Sequence, residues 1–214
     1  YVQPATRTRR QNYMHIRLRN WDVTFTEMAV NVAGIGDQVA REMMKAMKSL
    51  LTDYDKIFLN TGNSAVGTTS TARTARGIQR AIRTNTGRGS SAGGAVKQAL
   101  TESKVNALLQ KIWNAGGDPR ALFCGGYQKR VISQNFTAKT GFTYQIQASA
   151  RQAISNINSY EGSFGTVDII PDRQHSGARI TIVTPDHLKV AVLRDIQQYK
   201  GAPTASSVKG WVEA

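Results

Sequence analysis

Few residues in this 214-residue chain are of types that catalyse reactions, and their spacing forms no catalytic motif. The single cysteine, Cys124, lies in an apolar strand-like run, where a free thiol usually packs as a small hydrophobic group. His15 falls on the polar side of a predicted strand, and His175 and His187 fall in predicted turns, which favours surface positions for all three. A nucleophilic pair between Cys124 and a histidine stays open, because sequence alone gives no distances.

Motifs that bind cofactors or metals are equally scarce. Residues 87–92 have the letters G-x-G-x-x-A, but a dinucleotide site needs a preceding apolar strand, and Arg83-Thr84-Asn85-Thr86 is not one. Phosphate-loop, nucleophile-elbow and H-E-x-x-H motifs are missing, and so is a second cysteine for a disulfide or a zinc site. Asp53 and Asp55 cannot share one helix face. We therefore expect no enzymatic activity, no cofactor and no metal.

Positive charge is the strongest compositional signal. The chain carries 28 Lys and Arg against 14 Asp and Glu, a net charge of +14, which favours partners with negative charge, above all nucleic acid. Two blocks, residues 1–21 and 56–101, contain basic residues and no acidic one up to Thr101. Their arginines are either solvated or inter-subunit residues, or they contact a phosphate backbone. The candidates for such contacts are Arg7, Arg9, Arg10, Arg17, Arg19, Arg76, Arg80 and Arg83.

Hydrophobic periodicity predicts the elements of the first half. Met14, Ile16 and Leu18 alternate with basic residues, which predicts a strand with one apolar and one basic face that continues as strand or turn to Phe25. Asp37 is a suitable cap for a long helix that ends near Leu59. The apolar stripe of this helix, a candidate packing or interface surface, consists of Val39, Met43, Met47, Leu50, Tyr54 and Phe58. Beyond it, the composition predicts loops at 60–75 and 84–95 and a short helix at 76–83.

The second half alternates between helices and short strands. A helix over 101–115 is predicted by Thr101 as cap, by Leu100 and Val105 as a hydrophobic staple, and by Gly116-Gly117 as its end. A second helix is predicted from Tyr127 to about Asn135. The remaining pattern predicts strands at 121–124, 142–147, 154–160, 165–170, 179–183 and 188–193, with a tight turn at 185–187.

The order of elements between Ala121 and Arg173 carries a family resemblance. The strand that ends at Cys124 is followed by Gly125-Gly126 and a basic helix, and later by a second strand closed by Pro171. Together with the preceding helix and with Ala75-Arg76-Gly77-Ile78-Gln79 upstream, this order resembles the major capsid proteins of tailed bacteriophages that have the Hong Kong 97-type fold. The resemblance covers nearly the whole length of the chain.

The resemblance implies an α+β fold with an extended loop arm, a peripheral domain built on a long spine helix, and an axial domain with a mixed sheet flanked by helices. Its domains would be residues 1–25 as the arm, 26–89 as the peripheral domain with spine helix 37–59, 90–200 as the axial domain, and 201–214 as the return to the peripheral domain. The implied function is that of a structural subunit that forms hexamers and pentamers of an icosahedral shell around double-stranded DNA. Portal, scaffold or decoration proteins would be partners, assembly would occur in the host cytoplasm, and no membrane would be involved.

Physical arguments favour assembly independently of that resemblance. A long amphipathic helix, a basic arm and Gly-rich loops cannot all bury their apolar faces within one small chain, so neighbouring subunits would complete the burial. An extended loop needs two strands and only the returning one is present, while residues 208–214 begin a strand pattern and stop without a polar tail. We therefore expect the intact polypeptide to continue beyond both ends. Two other classes stay open: a basic nucleic-acid-binding module of ribosomal or chromosomal type, and a hydrolase of an anionic polymer.

Overall fold

The computed structural model describes residues 9, 11–30, 34, 36–59, 62–87, 99–139 and 158–214. These residues form a mixed α+β structure with two sheets and five α-helices. In chain order the elements are β1 (Leu18–Thr24), α1 (Phe25–Ala29), α2 (Gln38–Leu59), α3 (Ile78–Ala81), α4 (Glu102–Asn114), β2 (Ala121–Cys124), α5 (Gly126–Lys139), β3 (Ser159–Gly162), β4 (Gly165–Pro171), β5 (Ile180–Val183), a 3-10 helix (Pro185–His187), β6 (Gln197–Lys200) and β7 (Ser207–Glu213). The chain divides into two compact units: unit 1 is Tyr1–Arg80 with Ala191–Ala214, and unit 2 is Ala81–Val190.

Unit 1 is a three-stranded antiparallel sheet with α2 packed on one face. The strand order is β1-β7-β6, so the C-terminal strand is central and both its neighbours are edges. Backbone bonds continue the β1–β7 ladder to the chain end, where Arg17 and Ala214 exchange N–H···O bonds of 3.0 and 3.1 Å. The core beneath the helix consists of Trp21, Val23, Ala46, Leu50, Val208 and Val212.

Local chemistry fixes the start of α2 and the close packing of the sheet. The Asp37 carboxylate accepts hydrogen bonds from the backbone N–H groups of Val39 (2.8 Å) and Ala40 (3.2 Å), which satisfies the free donors of the first turn. Gly210 lies opposite Trp21 in the sheet, and a Cβ at Gly210 would overlap the Trp21 indole and the Tyr199 carbonyl. Only glycine leaves room for the buried indole at this position of a central strand.

Unit 2 is a four-stranded mixed sheet, ordered β3-β4-β2-β5, with helices α4 and α5. Strands β2 and β4 are parallel, and the other pairs are antiparallel. Side chains from both helices and from the two central strands form its core: Val105, Leu109, Leu122, Cys124, Ile132, Val167 and Ile169. Gly116 (φ +80°) ends α4, and the Gly117 N–H bonds back to the Ile112 carbonyl at 3.0 Å, which is the usual glycine stop of a helix.

Several predicted elements agree with the structure. The long helix, the helix over 101–115, and the strands at 121–124, 165–170 and 179–183 lie within one residue of their predicted bounds. The second helix of unit 2 is confirmed but starts one residue earlier and extends to Lys139. Thr101 occupies the cap position of α4, yet its side chain makes no capping hydrogen bond.

Other predictions are wrong or lie outside the described residues. The first strand begins only at Leu18, and α1 and β6 were not predicted. Residues 188–193 form no strand, because no described strand pairs with them. Helix α3 is a single turn that begins at Ile78, shorter than the predicted 76–83. The strand predicted at 142–147 and most of that at 154–160 lie outside the described residues; only Ser159 and Tyr160 of the latter are in β3.

Candidate assembly surfaces

The six residues of the predicted stripe follow α2 along the sheet. Leu50 is fully buried in the core of unit 1, and Val39, Met43 and Tyr54 pack against that core. Met47 is half-buried, and Gln198 of β6 donates a hydrogen bond to its sulfur at 3.6 Å. Phe58 is 36% exposed and stacks on Tyr54, with ring centroids 5.8 Å apart. The stripe therefore runs from a closed core at Leu50 to an open surface at Phe58.

Polar contacts connect α2 to the ends of the sheet strands. The Tyr54 hydroxyl donates to the carbonyl of Ala214 and lies 3.4 Å from the His15 carbonyl, and burial raises the pKa of this phenol. Arg19 of β1 forms an ion pair with Asp53, and its Nε lies 3.0 Å from Oδ2. These bonds connect α2 to β1 and to Ala214 at the end of the central strand.

The sheet face opposite α2 is exposed and partly aromatic. Trp211 of β7 stacks on Tyr199 of β6, with centroids 5.3 Å apart, and the two side chains are 37% and 38% exposed. Leu18 lies on this face at 48% exposure, and two ion pairs flank the aromatic pair: Lys209 with Asp22 at 3.4 Å, and Arg194 with Glu213 at 2.8 Å. We call Leu18, Tyr199 and Trp211 the outer sheet face. An apolar centre with a charged rim is the usual composition of a protein interface.

The sequence grouped Leu18 with Met14 and Ile16 as one apolar face. All three are exposed in the described structure, at 48%, 38% and 52%. The buried side of β1 is instead the alternate set, Trp21 and Val23, because the strand places residues of that parity against α2. The apolar alternation thus overlaps the strand only at Leu18, and it predicted neither where the strand begins nor which of its faces is covered.

The eight candidate arginines differ in their surroundings. Arg9, Arg17, Arg80 and Arg83 are exposed, whereas Arg19 is half-buried in its pair with Asp53. Arg7 and Arg10 lie outside the described residues. Arg76 precedes α3 and so lies outside the helix, although the predicted helix over 76–83 would include both Arg76 and Arg80. Their side chains bond to loop groups instead: Arg76 to the Gln11 carbonyl (3.3 Å) and Ser64 (3.4 Å), and Arg80 to the Asn63 amide oxygen.

Hydrogen bonds connect the segment before β1 to the loop before α3, and sequence patterns do not predict them. Asn12 accepts a hydrogen bond from the Arg76 backbone N–H at 2.8 Å and donates to the Arg76 carbonyl at 3.2 Å. Nearby, Nδ1 of His15 accepts a bond from the Ala75 N–H at 3.3 Å. Burial, followed by the charge of Arg17, lowers the pKa of His15, so the neutral ring that this bond requires is favoured.

Unit 2 contains His175 and Cys124, and both side chains are buried in its interior. His175 is buried, which corrects its predicted surface position: its turn folds inward so that Nδ1 donates to the Ser176 carbonyl (3.1 Å) and Nε2 accepts from Thr181 (3.0 Å). Burial lowers the pKa of His175. Cys124 is fully buried, and burial raises the pKa of its thiol, opposite to the shift of a nucleophilic cysteine.

Neither a metal site nor a membrane helix occurs in the described part of the chain. No group of three His, Cys, Asp or Glu side chains is close enough there to hold a metal ion. None of the described helices is both long and apolar enough to cross a membrane. His187, the third histidine, is exposed and is the last residue of the 3-10 helix.

The outer sheet face and the end of α2 at Phe58 thus expose apolar side chains to solvent. Exposed apolar surface with a charged rim is typical of a subunit that binds other proteins. Comparison of the sequence with protein families agrees: the SU10 major capsid protein family matches residues 2–214. No curated protein matches the chain. The class is therefore that of a structural protein of a bacteriophage virion. The chain belongs to the SU10 major capsid protein family, and its role is in the capsid.

Proposed function

We propose that this chain is the repeating subunit of an icosahedral shell, arranged in hexamers and pentamers, that encloses double-stranded DNA. The family match over nearly the whole chain carries the proposal. The exposed apolar residues of unit 1 support it, since a monomer would leave them in water. In this proposal the subunit has the Hong Kong 97-type fold and assembles in the host cytoplasm.

The proposed domains follow the resemblance to the capsid proteins of tailed bacteriophages. Residues 1–25 would be the extended-loop arm, 26–89 the peripheral domain with α2 as the spine helix, 90–200 the axial domain, and 201–214 the return to the peripheral domain. The pairing of β7 with β1 supports the last assignment, because it brings the C-terminal strand into the sheet beneath α2. Helices α4 and α5 beside a mixed sheet support the third.

Charge supports DNA as the packaged partner. Unit 1 has 15 basic and 8 acidic residues and unit 2 has 13 and 6, so each carries a net +7. Of the candidate arginines, Arg9, Arg17, Arg80 and Arg83 are the exposed ones that would neutralise phosphate without reading bases. Portal, scaffold or decoration proteins are further proposed partners that would bind the assembled shell.

Electron microscopy of the purified protein tests this function. Closed shells or free hexamers and pentamers are the expected particles, and they should persist at a salt concentration that strips non-specific DNA from basic proteins. A monomer that binds DNA in a salt-sensitive manner, and forms no capsomer at any concentration, would favour the basic nucleic-acid-binding module instead.

A further inference from the structure

Helix α2 carries exposed apolar residues in addition to those that pack on the sheet. Met44, Leu51 and Phe58 recur every seven residues, so they form a row along the helix that drifts by only about 20° per step. Their side chains are 69%, 48% and 36% exposed. We call these three residues the outer strip. It extends over 14 residues, about 21 Å at 1.5 Å per residue.

The outer strip lies beside the predicted stripe of α2, which we call the core stripe and with which it shares Phe58, on the side of the edge strand β6. On one side of the core stripe, Asp53 meets Arg19 of β1, and on the other side Met47 meets Gln198 of β6. The outer strip adjoins Met47, and β6, which pairs only with β7 among the described strands, leaves it uncovered. A helix with apolar residues at this spacing packs well against a second helix with the same spacing.

Two charged residues border the outer strip on the same flank. Lys48 and Asp55 are exposed, one turn before and one turn after Leu51, and neither forms an ion pair with a described residue. Opposite charges at nearly equal distances on either side of a central apolar residue make the surface self-complementary under a two-fold axis. A second copy in antiparallel orientation would present Asp55 to Lys48 and Lys48 to Asp55.

We infer that the outer strip of α2 binds the same strip of a second copy of this chain, antiparallel, across a two-fold axis at Leu51. In this register Leu51 meets the partner's Leu51, and Met44 lies at the same height as the partner's Phe58. Lys48 and the partner's Asp55 differ in height by only about one residue rise, 1.5 Å. The contact is small and would be weak between two free subunits. In a shell it would be repeated between many subunits, so that its total contribution to stability would be larger. The inference rests on the proposed shell function, for which it names one subunit contact.

Cysteine crosslinking tests the register directly. Helices in contact have axes 8–10 Å apart, so residues on the two-fold axis bring their Cα atoms to about 4–5 Å, within reach of a disulfide. Leu51→Cys should therefore oxidise to a dimer of twice the subunit mass. Met44→Cys alone is the matched control: two Met44 positions would be about 21 Å apart in the antiparallel pair and should not crosslink. The native Cys124 is buried and does not compete.

Charge exchange tests the same contact without cysteine. Lys48→Asp and Asp55→Lys should each lower the yield of particles, and the double exchange should restore it. Lys56→Glu, an exposed residue on another side of α2, is the control and should leave the yield unchanged.

The outcomes separate the inference from the proposed function. Crosslinking is measured in assembled particles and in concentrated free subunit. A Leu51→Cys dimer in either sample, with no Met44→Cys dimer, supports the inference even where no shell forms. Normal shells with no Leu51→Cys dimer in either sample overturn it and leave the shell function intact. A Met44→Cys dimer would mean a parallel pair and would also overturn it, as would the absence of a dimer from both samples.

Discussion

The sheets of the two units differ in how many of their faces are covered. In unit 2 the central strand β2 is covered on both faces, with Ala121, Leu122 and Cys124 all buried. In unit 1 the central strand β7 alternates, and Trp211 is left on an open face. Of the 21 exposed large apolar side chains in the described residues, 15 lie in unit 1 and 6 in unit 2. Among the described residues, unit 1 therefore carries the larger share of the exposed apolar side chains.

The largest effect should come from the cores, where the two units ought to behave alike. Leu50 and Leu109 are both fully buried. Leu50→Ala and Leu109→Ala should each lower the free energy of unfolding by about 2–5 kcal/mol, the usual cost of a cavity at such a site. Urea denaturation with each variant measures this. A decrease of less than about 1 kcal/mol at Leu50 alone would mean that α2 is not packed on its sheet in the free subunit.

Replacing an exposed tryptophan should reduce particle yield more in unit 1 than in unit 2. Trp211→Ser in unit 1 should strongly reduce particle yield, and it should lower the free energy of unfolding by the stacking energy with Tyr199, about 0.5–1.5 kcal/mol, together with the loss of the buried part of the indole. Trp113→Ser in unit 2 is the matched control, because Trp113 is also exposed and also contacts one aromatic ring, Phe164. Particle counts by electron microscopy compare the two. Equal decreases in yield would break the contrast between the units.

Acid should weaken unit 2 through His175. Because burial lowers its folded pKa below 6.5, the unfolded chain binds the proton more readily, so stability is present above pH 6.5 and is lost as the pH falls below it. The difference in unfolding free energy between pH 7.5 and pH 5.5 should shrink in His175→Asn. His187→Asn, at an exposed position, should keep the wild-type difference. An unchanged pH dependence in His175→Asn would show that other groups cause the acid sensitivity.

The smallest effects concern the arginines. Arg17→Gln with Arg80→Gln should reduce retained DNA and make the dependence of log affinity on log salt less steep, by about 0.9 for each phosphate that the variant no longer neutralises. Arg19→Gln should act on stability instead, by about 0.2–1 kcal/mol, because it breaks the partly exposed pair with Asp53. If the double variant fails to assemble even as empty shells, Arg17 and Arg80 are inter-subunit residues and do not bind DNA.

Much of the fold could be predicted because local signals and burial agree. In α2 the Asp37 cap and the stripe through Leu50 indicate the same helix, and in the structure Leu50 is buried against the sheet while Val39, Met43 and Tyr54 pack around it. The strands at 121–124 and 165–170 are short apolar runs between glycines and prolines, and they pair in parallel in the core of unit 2. In these places the apolar residues whose spacing predicts the element are the same residues that pack in the core.

The remainder depended on contacts that are distant in the sequence. Strand β6 has a polar sequence, Gln197-Gln198-Tyr199-Lys200, and exists because the edge of β7 is available to it. Residues 188–193 have a strand pattern but no described partner. The burial of His175 depends on Thr181, and that of Trp21 depends on Gly210 from the other end of the chain. Sequence periodicity contains none of these pairings.

The central claim is that the chain is a capsid subunit whose unit 1 provides most of the apolar contact between copies. A cryo-electron microscopy reconstruction of particles assembled from the purified protein tests it most directly. We expect closed shells in which the outer sheet face and the outer strip of α2 are covered by neighbouring subunits, with more apolar area buried by unit 1 than by unit 2. Shells in which those surfaces face solvent and unit 2 forms the main contacts would contradict the claim, as would a protein that never assembles.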